Sequence, residues 1–317
     1  MQTLRFSNGD TIPQLGLGTW KSRPGDVYNA VRTALRLGFR HIDCAYAYDN
    51  EAEIGHALAD AMSDDGVRRE ELWITSKLWN TAHAPDDVRP ALEATLRHLQ
   101  LDHLDLYLMH WPVAMRKGSR MPLKTEDLIN PRELPFTKTW VAMEACVDAG
   151  LARHIGVSNF SARKIKTLLD EARIKPAMDQ VELHPYLQQQ PLVDFCRAHG
   201  VQVTAYSPLG SNDRPKGMKG KDEPVLLEDA SVAALAKAHG ATPAQILIAW
   251  ALARGTAVIP KSTSAEHMQD NLDAADITLS DAEMKKIAAL DRHRRYIDGR
   301  FWALPGSGYT LENIWDE

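Results

Sequence analysis

The sequence predicts an α/β protein that folds as a (β/α)8 barrel, and two observations carry this prediction. Eight short runs rich in apolar residues recur along the chain, as expected for strands buried on both faces, and amphipathic stretches separate them. Most strand starts are 23 to 32 residues apart, enough for a strand, a helix and two short loops. The predicted strands are residues 15–20, 41–45, 72–78, 104–110, 154–159, 177–183, 201–208 and 256–261.

The competing architecture is an open doubly wound sheet, which usually carries a glycine-rich dinucleotide fingerprint after its first strand. Gly16 and Gly18 fall inside the first predicted strand, and no third glycine follows at the required spacing. The closed barrel is therefore the better prediction, with residues 1–317 forming one domain.

Further elements flank the barrel. Residues 4–12 predict an N-terminal hairpin, because Asn8 and Gly9 supply the positive φ angles of a tight turn. The two long intervals after strands four and seven indicate insertions, and residues 111–136 and 209–228 are interpreted as long loops. After strand eight we expect helices near 264–272 and 281–290, and then a tail, residues 292–317, rich in aromatic residues and glycine.

Three residue pairs resemble capping boxes, in which each end of the motif satisfies a backbone N–H of the other. They predict helix starts at Asn50 with Glu53, Thr242 with Gln245, and Ser280 with Glu283.

Composition excludes several classes of protein. The 317 residues are 44% hydrophobic and 25% charged, and the formal net charge of −5 argues against nucleic acid as a partner. The longest apolar run, residues 246–253, is too short to cross a bilayer, and the N-terminus lacks the apolar core of a signal peptide. Three widely spaced cysteines indicate reduced thiols in a cytoplasmic protein, and no Cys/His cluster has the spacing of a metal site.

Four polar residues at neighbouring strand ends predict an active site, because barrel enzymes build theirs at the carboxyl ends of the strands. They are Asp43, Tyr48, Lys77 and His110. An unpaired ammonium inside a barrel is expensive to bury, so we expect Asp43 to pair with Lys77. A nearby cation stabilises a phenolate, so Lys77 should lower the pKa of Tyr48 from its ordinary value of about 10 and make it a better proton donor.

Each member of this group also has a structural interpretation. Asp43 and Lys77 alone would be a buried salt bridge, and a lone histidine on an apolar strand is usually a core residue. Tyr48 could be a packing residue, as could Tyr46. The combination predicts catalysis, with His110 orienting a substrate oxygen.

Tryptophans stand at three strand ends on the same face. Trp20, Trp79 and Trp111 would form a dry wall for an apolar or amphipathic substrate, and aromatic packing under loops is the alternative. The loops after strands four and seven and the tail around residues 301–304, which includes Trp302, should also shape this pocket, although the sequence does not give their conformation.

The remaining strand ends suit a dinucleotide. Side chains at the ends of strands five and six could bind a carboxamide, and Tyr206 could stack on a nicotinamide ring. Residues 207–209 and the loop after them could fold over a pyrophosphate. Lys261 and Ser262 precede a helix N-terminus near Ser264, and a cation beside helix N–H groups makes an anion site.

Over essentially its whole length the sequence closely resembles the aldo-keto reductase superfamily, in the branch of the aldose, aldehyde and xylose reductases. The resemblance rests on the motifs LGLGTW (15–20), HIDCAYAY (41–48), ITSK (74–77), LMHWP (108–112), IGVSNF (155–160), QVELHP (180–185) and IPKS (259–262). It implies a barrel enzyme that interconverts carbonyls and alcohols, with Asp43, Tyr48, Lys77 and His110 as its catalytic tetrad.

The resemblance also implies NADPH or NADP+ as cofactor, bound extended across the barrel mouth. Its contacts would be Thr19, Trp20, Asp43, Ser158, Asn159, Gln180, Tyr206, Ser207, Leu209, Lys261, Ser262, Thr263, His267, Asp270 and Asn271. A small carbonyl or alcohol substrate would meet Trp20, Tyr48, Trp79, His110, Trp111 and Trp302. The family includes monomers and homodimers, and no membrane partner is implied.

One position departs from the family pattern. NADPH-preferring members usually carry an arginine six residues after the position of Lys261, and here that residue is His267. Arginine binds phosphate bidentately and is always charged, whereas imidazole is mostly neutral. We therefore expect NADPH to be preferred less strongly, with some use of NADH.

Two other functions could use the same fold and residues. A lyase could use Lys77 as a Schiff-base nucleophile, but Asp43 should keep the lysine charged and unreactive. A cofactor sensor or structural protein could also use this fold, but the complete group of four residues argues for an enzyme.

Overall fold

The computed structural model of the protein describes residues 2–121, 123–220 and 222–317. Pro122 and Lys221, which fall in the two predicted long loops, lie outside the described residues, as does Met1. Within the described ranges, no helix combines the length and the apolar character needed to cross a bilayer.

A hairpin covers the amino-terminal ends of the barrel strands. It consists of β1 (Thr3–Arg5) and β2 (Thr11–Pro13), which pair in antiparallel fashion, and Gly9 in the turn has a φ of 94°. The ring of Phe6 stacks on Trp73 at 5.2 Å and on His154 at 4.6 Å, near the starts of two barrel strands. The predicted hairpin is confirmed, and its apolar side closes one end of the barrel.

Eight parallel strands form the barrel in the order β3-β4-β5-β6-β9-β10-β11-β12. The strands after the hairpin are β3 (Leu17–Gly18), β4 (His41–Asp43), β5 (Trp73–Leu78), β6 (Leu104–Met109), β7 (Ala114–Met115), β8 (Leu128–Ile129), β9 (Ala152–Ser158), β10 (Met178–Glu182), β11 (Gln202–Tyr206) and β12 (Ala257–Val258). Parallel bridges from Leu15 to Val258 and from Gly18 to Lys261 join the first strand to the last. The predicted (β/α)8 barrel is confirmed.

The seam between the first and last strands depends on a glycine. A Cβ atom at Gly18 would lie 2.7 Å from the carbonyl oxygen of Ile259, so a larger residue would push the strands apart. The N–H of Gly18 donates to the carbonyl of Pro260 at 3.1 Å. This close approach places Thr19 and Trp20 beside Lys261 at the mouth.

Helices surround the sheet and supply the other wall of the core. They are α1 (Asp26–Leu37), α2 (Glu51–Asp64), α3 (Pro85–Leu99), α4 (Phe136–Asp148), α5 (Ala162–Glu171), α6 (Gln190–Ala198), α7 (Ala230–His239), α8 (Pro243–Ala253), α9 (Ala265–Asp273), α10 (Asp281–Ala288) and α11 (Leu311–Trp315). The sequence did not predict α11, a short helix within the tail.

Two of the three predicted capping boxes are confirmed, at Thr242 and at Ser280. The third helix start is also confirmed, because α2 begins directly after Asn50, but the capping box itself is absent: the side chain of Asn50 donates to the carbonyl of Thr19 at 2.9 Å instead of capping α2. Glu53 accepts a hydrogen bond from the N–H of Gly25 at 2.8 Å. These two residues therefore tie α2 to neighbouring loops.

The long segment after β6 is more ordered than predicted. It contains the antiparallel ribbon of β7 and β8, where a loop was expected. The segment after β11 contains two short 3-10 turns, Lys216–Met218 and Leu226–Glu228. The first and last barrel strands, β3 and β12, are shorter than predicted, because regular pairing lasts only two residues in each.

Candidate active site

A cavity of about 780 Å³ opens at the carboxyl ends of the barrel strands. It brings together most of the residues that the sequence singled out for catalysis or binding. Those that line it are Thr19, Trp20, Asp43, Tyr48, Trp79, His110, Trp111, Ser158, Asn159, Gln180, Tyr206, Ser207, Lys261 and Trp302.

Lys77 lies directly behind this cavity, on β5, and its ammonium is fully buried. It donates to Asp43 Oδ1 at 2.5 Å, to the carbonyl of Cys44 at 2.8 Å and to the hydroxyl of Tyr48 at 3.3 Å. Burial lowers the pKa of Lys77, but the charge of Asp43 and the oxygen of Tyr48 outweigh it, and the pKa lies above its ordinary value. Lys77 is therefore a fixed cation beneath the phenol.

Asp43 is held from a second side. Its Oδ2 accepts a hydrogen bond from the amide of Gln180 at 2.6 Å, across the barrel from β10. With both oxygens engaged, the carboxylate has one orientation, which in turn fixes Lys77. The predicted pairing of Asp43 with Lys77 is present.

Tyr48 lies on the 3-10 turn Tyr46–Tyr48, which directly follows β4. Burial raises the pKa of Tyr48, and the nearby Lys77 ammonium lowers it by less, so the pKa lies above its ordinary value. The sequence-based expectation of a lowered pKa was therefore wrong in its net sign for the protein alone, because it weighed the cation and neglected desolvation. The phenol stays protonated at neutral pH.

His110 follows β6 and faces Tyr48, with ring centroids 5.9 Å apart at a nearly perpendicular angle. Burial, together with the charge of Lys77, holds the pKa of His110 well below its ordinary range. The imidazole is therefore neutral and has a single N–H to donate. Its backbone carbonyl accepts from the side chain of Asn159 at 2.9 Å, which fixes the strand end.

Amide and hydroxyl groups form a connected network on the opposite wall of the cavity. Asn159 donates to Ser158 Oγ at 3.1 Å and accepts from the hydroxyl of Tyr206 at 2.7 Å. Ser158 Oγ donates to the carbonyl of Gln180 at 2.8 Å. The backbone of Asn159 (φ 62°) and of Ser207 (φ 49°) is left-handed, a conformation that turns the chain sharply at these two strand ends.

The predicted anion site extends away from the cavity along the start of α9. Ser264 caps this helix by accepting from the N–H of His267 at 3.4 Å, and Thr263 and His267 are exposed. Asn271 is buried, and Leu209 packs against the main core. Outside the lining of the main cavity lie six predicted cofactor contacts, Leu209, Ser262, Thr263, His267, Asp270 and Asn271.

An ion pair spans the mouth between these two regions. Lys21 Nζ, just after β3, lies 2.5 Å from Asp213 Oδ1 in the loop after β11. The loop thus reaches back to the first strand near Lys261, which lines the cavity, and the part of the cavity mouth beside this ion pair is termed the groove.

Aromatic rings form the other side of the cavity. Trp302 is fully buried and packs on Trp79 at 5.9 Å and on Trp111 at 5.8 Å between ring centroids. Trp20 lies 6.4 Å from Tyr48. The predicted tryptophan wall is present, and it includes the residue from the tail.

Several lining residues were not predicted. Tyr46 belongs to the same 3-10 turn as Tyr48, and a reading of that turn could have found it. Others come from loops and the tail, where no hydrophobic period gives a direction to the side chains, namely Arg120, Met121, Met218 and Ile297.

Comparisons with known proteins show the family to which the sequence is similar. Residues 14–292 match the model of the Aldo/keto reductase family. The chain is 55% identical to an aldo/keto reductase of Synechocystis over 322 aligned positions, which cover 100% of this chain and 97% of the relative. It is 50% identical to Aldo-keto reductase family 1 member A1 of Homo sapiens over 291 positions, which cover 91% of this chain and 89% of the relative.

A solved structure is similar as well. The aldose reductase from Schistosoma japonicum superimposes with a TM-score of 0.85 at 40% sequence identity. The match covers 98% of this chain and 100% of that chain. At 40% identity the two proteins are similar in sequence as well as in fold.

Proposed function

The chain belongs to the aldo/keto reductase family and is an NAD(P)H-dependent oxidoreductase, and we propose that it uses NADPH to interconvert aldehydes or ketones and alcohols, with Tyr48 as the proton donor. The observation that carries this proposal is the contact of 3.3 Å between Lys77 Nζ and the Tyr48 hydroxyl at the cavity wall.

The residues present fit a nicotinamide dinucleotide. Amide and hydroxyl groups of Ser158, Asn159 and Gln180 converge on one wall of the cavity, and Tyr206 offers an aromatic face there. Lys261 stands where the groove leaves the cavity, next to the capped start of α9, and suits a phosphate. When bound, the nicotinamide supplies the hydride that the protein itself lacks.

Thr19 and Trp20 would meet the dinucleotide from the first strand, beside Asp43. Ser207 and Leu209 would meet it from the loop after β11. The helix α9 would supply the adenosine end with Ser262, Thr263, His267, Asp270 and Asn271. A neutral imidazole at His267 binds phosphate less firmly than a guanidinium, so the proposal includes some use of NADH.

Tyr48 donates its proton to the carbonyl oxygen during reduction and takes it back during oxidation. Its raised pKa keeps the proton available at neutral pH. Lys77 stabilises the phenolate that remains, because the ammonium is already in place and need not move. Asp43 balances the buried charge of Lys77 and fixes its position.

His110 orients the substrate oxygen. As a neutral imidazole it can donate one hydrogen bond without adding a second cation beside Lys77. Trp20, Trp79, Trp111 and Trp302 keep water from the reacting atoms and set the shape of the substrate. The partner is therefore a small carbonyl or alcohol with an apolar part. A cytoplasmic location and a monomeric or homodimeric state stay predictions.

The lyase alternative finds no support in the geometry. A Schiff-base nucleophile must lose its proton, whereas Asp43 raises the pKa of Lys77 above its ordinary value. Borohydride trapping of a carbonyl substrate on Lys77 would favour that alternative.

A substrate panel tests the proposal. Aldoses, aromatic aldehydes and aliphatic ketones are each mixed with the protein and NADPH or NADH, and the loss of nicotinamide absorbance is followed. We expect turnover of aromatic aldehydes with both cofactors, faster with NADPH. The absence of turnover with every carbonyl in the panel would overturn the proposed activity.

A further inference from the structure

The loop after β11, residues 209–228, and the tail, residues 292–317, are bound to each other through one carboxylate. Glu223 of the loop accepts from Arg294 of the tail at 2.7 Å through Oε1. Its Oε2 accepts from Arg214 of the same loop. Arg214 and Glu223 are largely buried, so this arrangement is held in a single geometry.

A tyrosine adds two further contacts between the same segments. The hydroxyl of Tyr296 donates to the carbonyl of Pro224 at 2.6 Å. The guanidinium of Arg214 lies over the ring of Tyr296, 4.7 Å from its centroid. The loop and the tail therefore share an ion pair, a hydrogen bond and a cation–π contact.

The loop side of this group of contacts faces the groove, where the dinucleotide is proposed to bind. Arg214 donates to the carbonyls of Ser211 and Met218, both at 3.2 Å, and so determines the shape of the loop. The neighbouring Asp213 pairs with Lys21 across the groove, and Met218 lines the cavity. Any ligand that stabilises the closed loop also fixes the position of Arg214 and Glu223.

The tail side of this group of contacts faces the part of the cavity that is proposed to bind substrate. Glu182 at the end of β10 accepts from the N–H groups of Tyr296 at 2.6 Å and Ile297 at 2.7 Å. Ile297 lines the cavity, and Phe301 and Trp302 follow it in the wall. Tyr296 thus stands between the groove loop on one side and the substrate wall on the other.

We infer that Arg294 and Tyr296 are positioning residues that couple dinucleotide binding under the β11 loop to the shape of the substrate wall. The inference rests on the proposed function. A bound dinucleotide holds the loop, the loop holds Arg294 and Tyr296, and the tail then presents Ile297 in its binding position. Coupling of this kind is reciprocal, so a substrate-site ligand must also tighten dinucleotide binding by the same factor.

The experiment measures that factor by binding alone. The dissociation constant of NADPH is obtained from quenching of tryptophan fluorescence, without and with saturating benzyl alcohol, a pair that cannot react. We expect the alcohol to tighten NADPH at least about fivefold in the unaltered protein. The double variant Arg294→Gln with Tyr296→Phe removes the ion pair and the hydrogen bond but keeps the ring under Arg214, so the factor should fall to less than half of its value in the unaltered protein.

A matched control stands two residues earlier in the chain. Arg292 lies over the ring of Tyr186 at 4.1 Å and approaches Asp229 at 3.8 Å, beyond the end of the loop. Arg292→Gln should keep the full coupling factor. Kinetics add a second readout, because the double variant should raise KM for 4-nitrobenzaldehyde severalfold at saturating NADPH while kcat changes less than about twofold.

Three results would overturn the inference. The first is a coupling factor in the double variant equal to that of the unaltered protein, and the second is an equal loss in the Arg292→Gln control. The third is a factor of one in the unaltered protein. Normal NADPH binding and aldehyde turnover alongside any of them would leave the proposed function intact, whereas failure of NADPH to bind at all would reject both.

Discussion

The ammonium of Lys77 lies 3.3 Å from the hydroxyl of Tyr48, while its strongest contact, at 2.5 Å, is with Asp43. A buried lysine with only a carboxylate partner would be a structural ion pair. In the proposed reaction, the additional contact with a phenol at the cavity wall gives the charge a chemical use, because it would stabilise the phenolate formed when Tyr48 gives up its proton.

Replacing Tyr48 with phenylalanine should abolish most turnover. General acid catalysis contributes about 10²- to 10⁴-fold, and the variant keeps the ring while losing the proton. NADPH oxidation with 4-nitrobenzaldehyde measures the loss, and fluorescence titration should show NADPH binding nearly unchanged. Wild-type turnover in Tyr48→Phe would rule out the assignment of Tyr48 as the donor.

The pH dependence of the reaction should follow Tyr48. Its pKa lies above the ordinary 10.0 and that of His110 well below the ordinary 6.5, so both stay in their reduction-competent forms between these two values. We expect kcat for aldehyde reduction to be level above pH 6.5 and to fall only as the pH approaches and passes the raised pKa of Tyr48, where the phenol ionises. A steep fall of kcat around neutral pH would contradict these directions.

The ion pair between Lys21 and Asp213 should slow cofactor release. Asp213 is exposed and Lys21 mostly buried, so the pair contributes at most about 1 kcal/mol and is weakened by salt. Asp213→Asn should raise the dissociation constant of NADPH by up to about fivefold at low ionic strength. Stopped-flow displacement measures the release rate, and a variant indistinguishable from wild type at low salt would show that the pair does not restrain the loop.

His267→Arg should strengthen the preference for NADPH. An arginine–phosphate contact is worth about 1.5–3 kcal/mol, so the ratio of kcat/KM for NADPH over NADH should rise about tenfold or more. The control His267→Gln should leave the ratio near that of the unaltered protein. A wild-type ratio already above about 1000, or about 4 kcal/mol, would contradict the weaker site proposed here.

Asp179 should limit stability as pH rises. It is fully buried on β10, and burial raises its pKa well above the ordinary 3.8, although the backbone of Phe160 and the charge of Arg295 oppose this shift. The folded state therefore favours the protonated acid, which stabilises the fold at low pH and is lost as pH rises through the folded pKa.

Asp179→Asn removes this titration and should gain about 1–3 kcal/mol relative to wild type at neutral pH. Urea unfolding at acidic and neutral pH measures the difference, which should shrink toward pH 3.8. The exposed Asp276→Asn is the control. An advantage of Asp179→Asn that does not depend on pH would exclude this explanation.

The barrel and the proximity of Asp43, Tyr48, Lys77 and His110 could be predicted because each depends on a local pattern. Apolar runs at regular intervals predicted all eight strands, and strand ends placed Asp43, Lys77 and His110 at one mouth. The parallel register then pairs Lys77 with Leu108, so that the side chains of neighbouring strand ends meet.

Other features depend on tertiary contacts that leave no periodic trace. The direction in which the pKa of Tyr48 shifts follows from how deeply the phenol is buried, and its place in the sequence does not reveal that depth. Arg120, Met218 and Ile297 reach the cavity from segments without a regular period. Asn50 was expected to cap a helix, but Thr19 offered it a backbone carbonyl from another loop.

The hairpin at the amino-terminal end of the barrel has a consequence for the order in which ligands bind and leave. Phe6, packed on Trp73 and His154, closes the amino-terminal end of the barrel, so cofactor and substrate must both enter at the carboxyl end of the strands. In such a one-ended chamber, whatever lies deepest must arrive first and depart last. The order in which cofactor and substrate bind is thus partly set by the ring of Phe6, which lies at the opposite end of the barrel from the candidate active site.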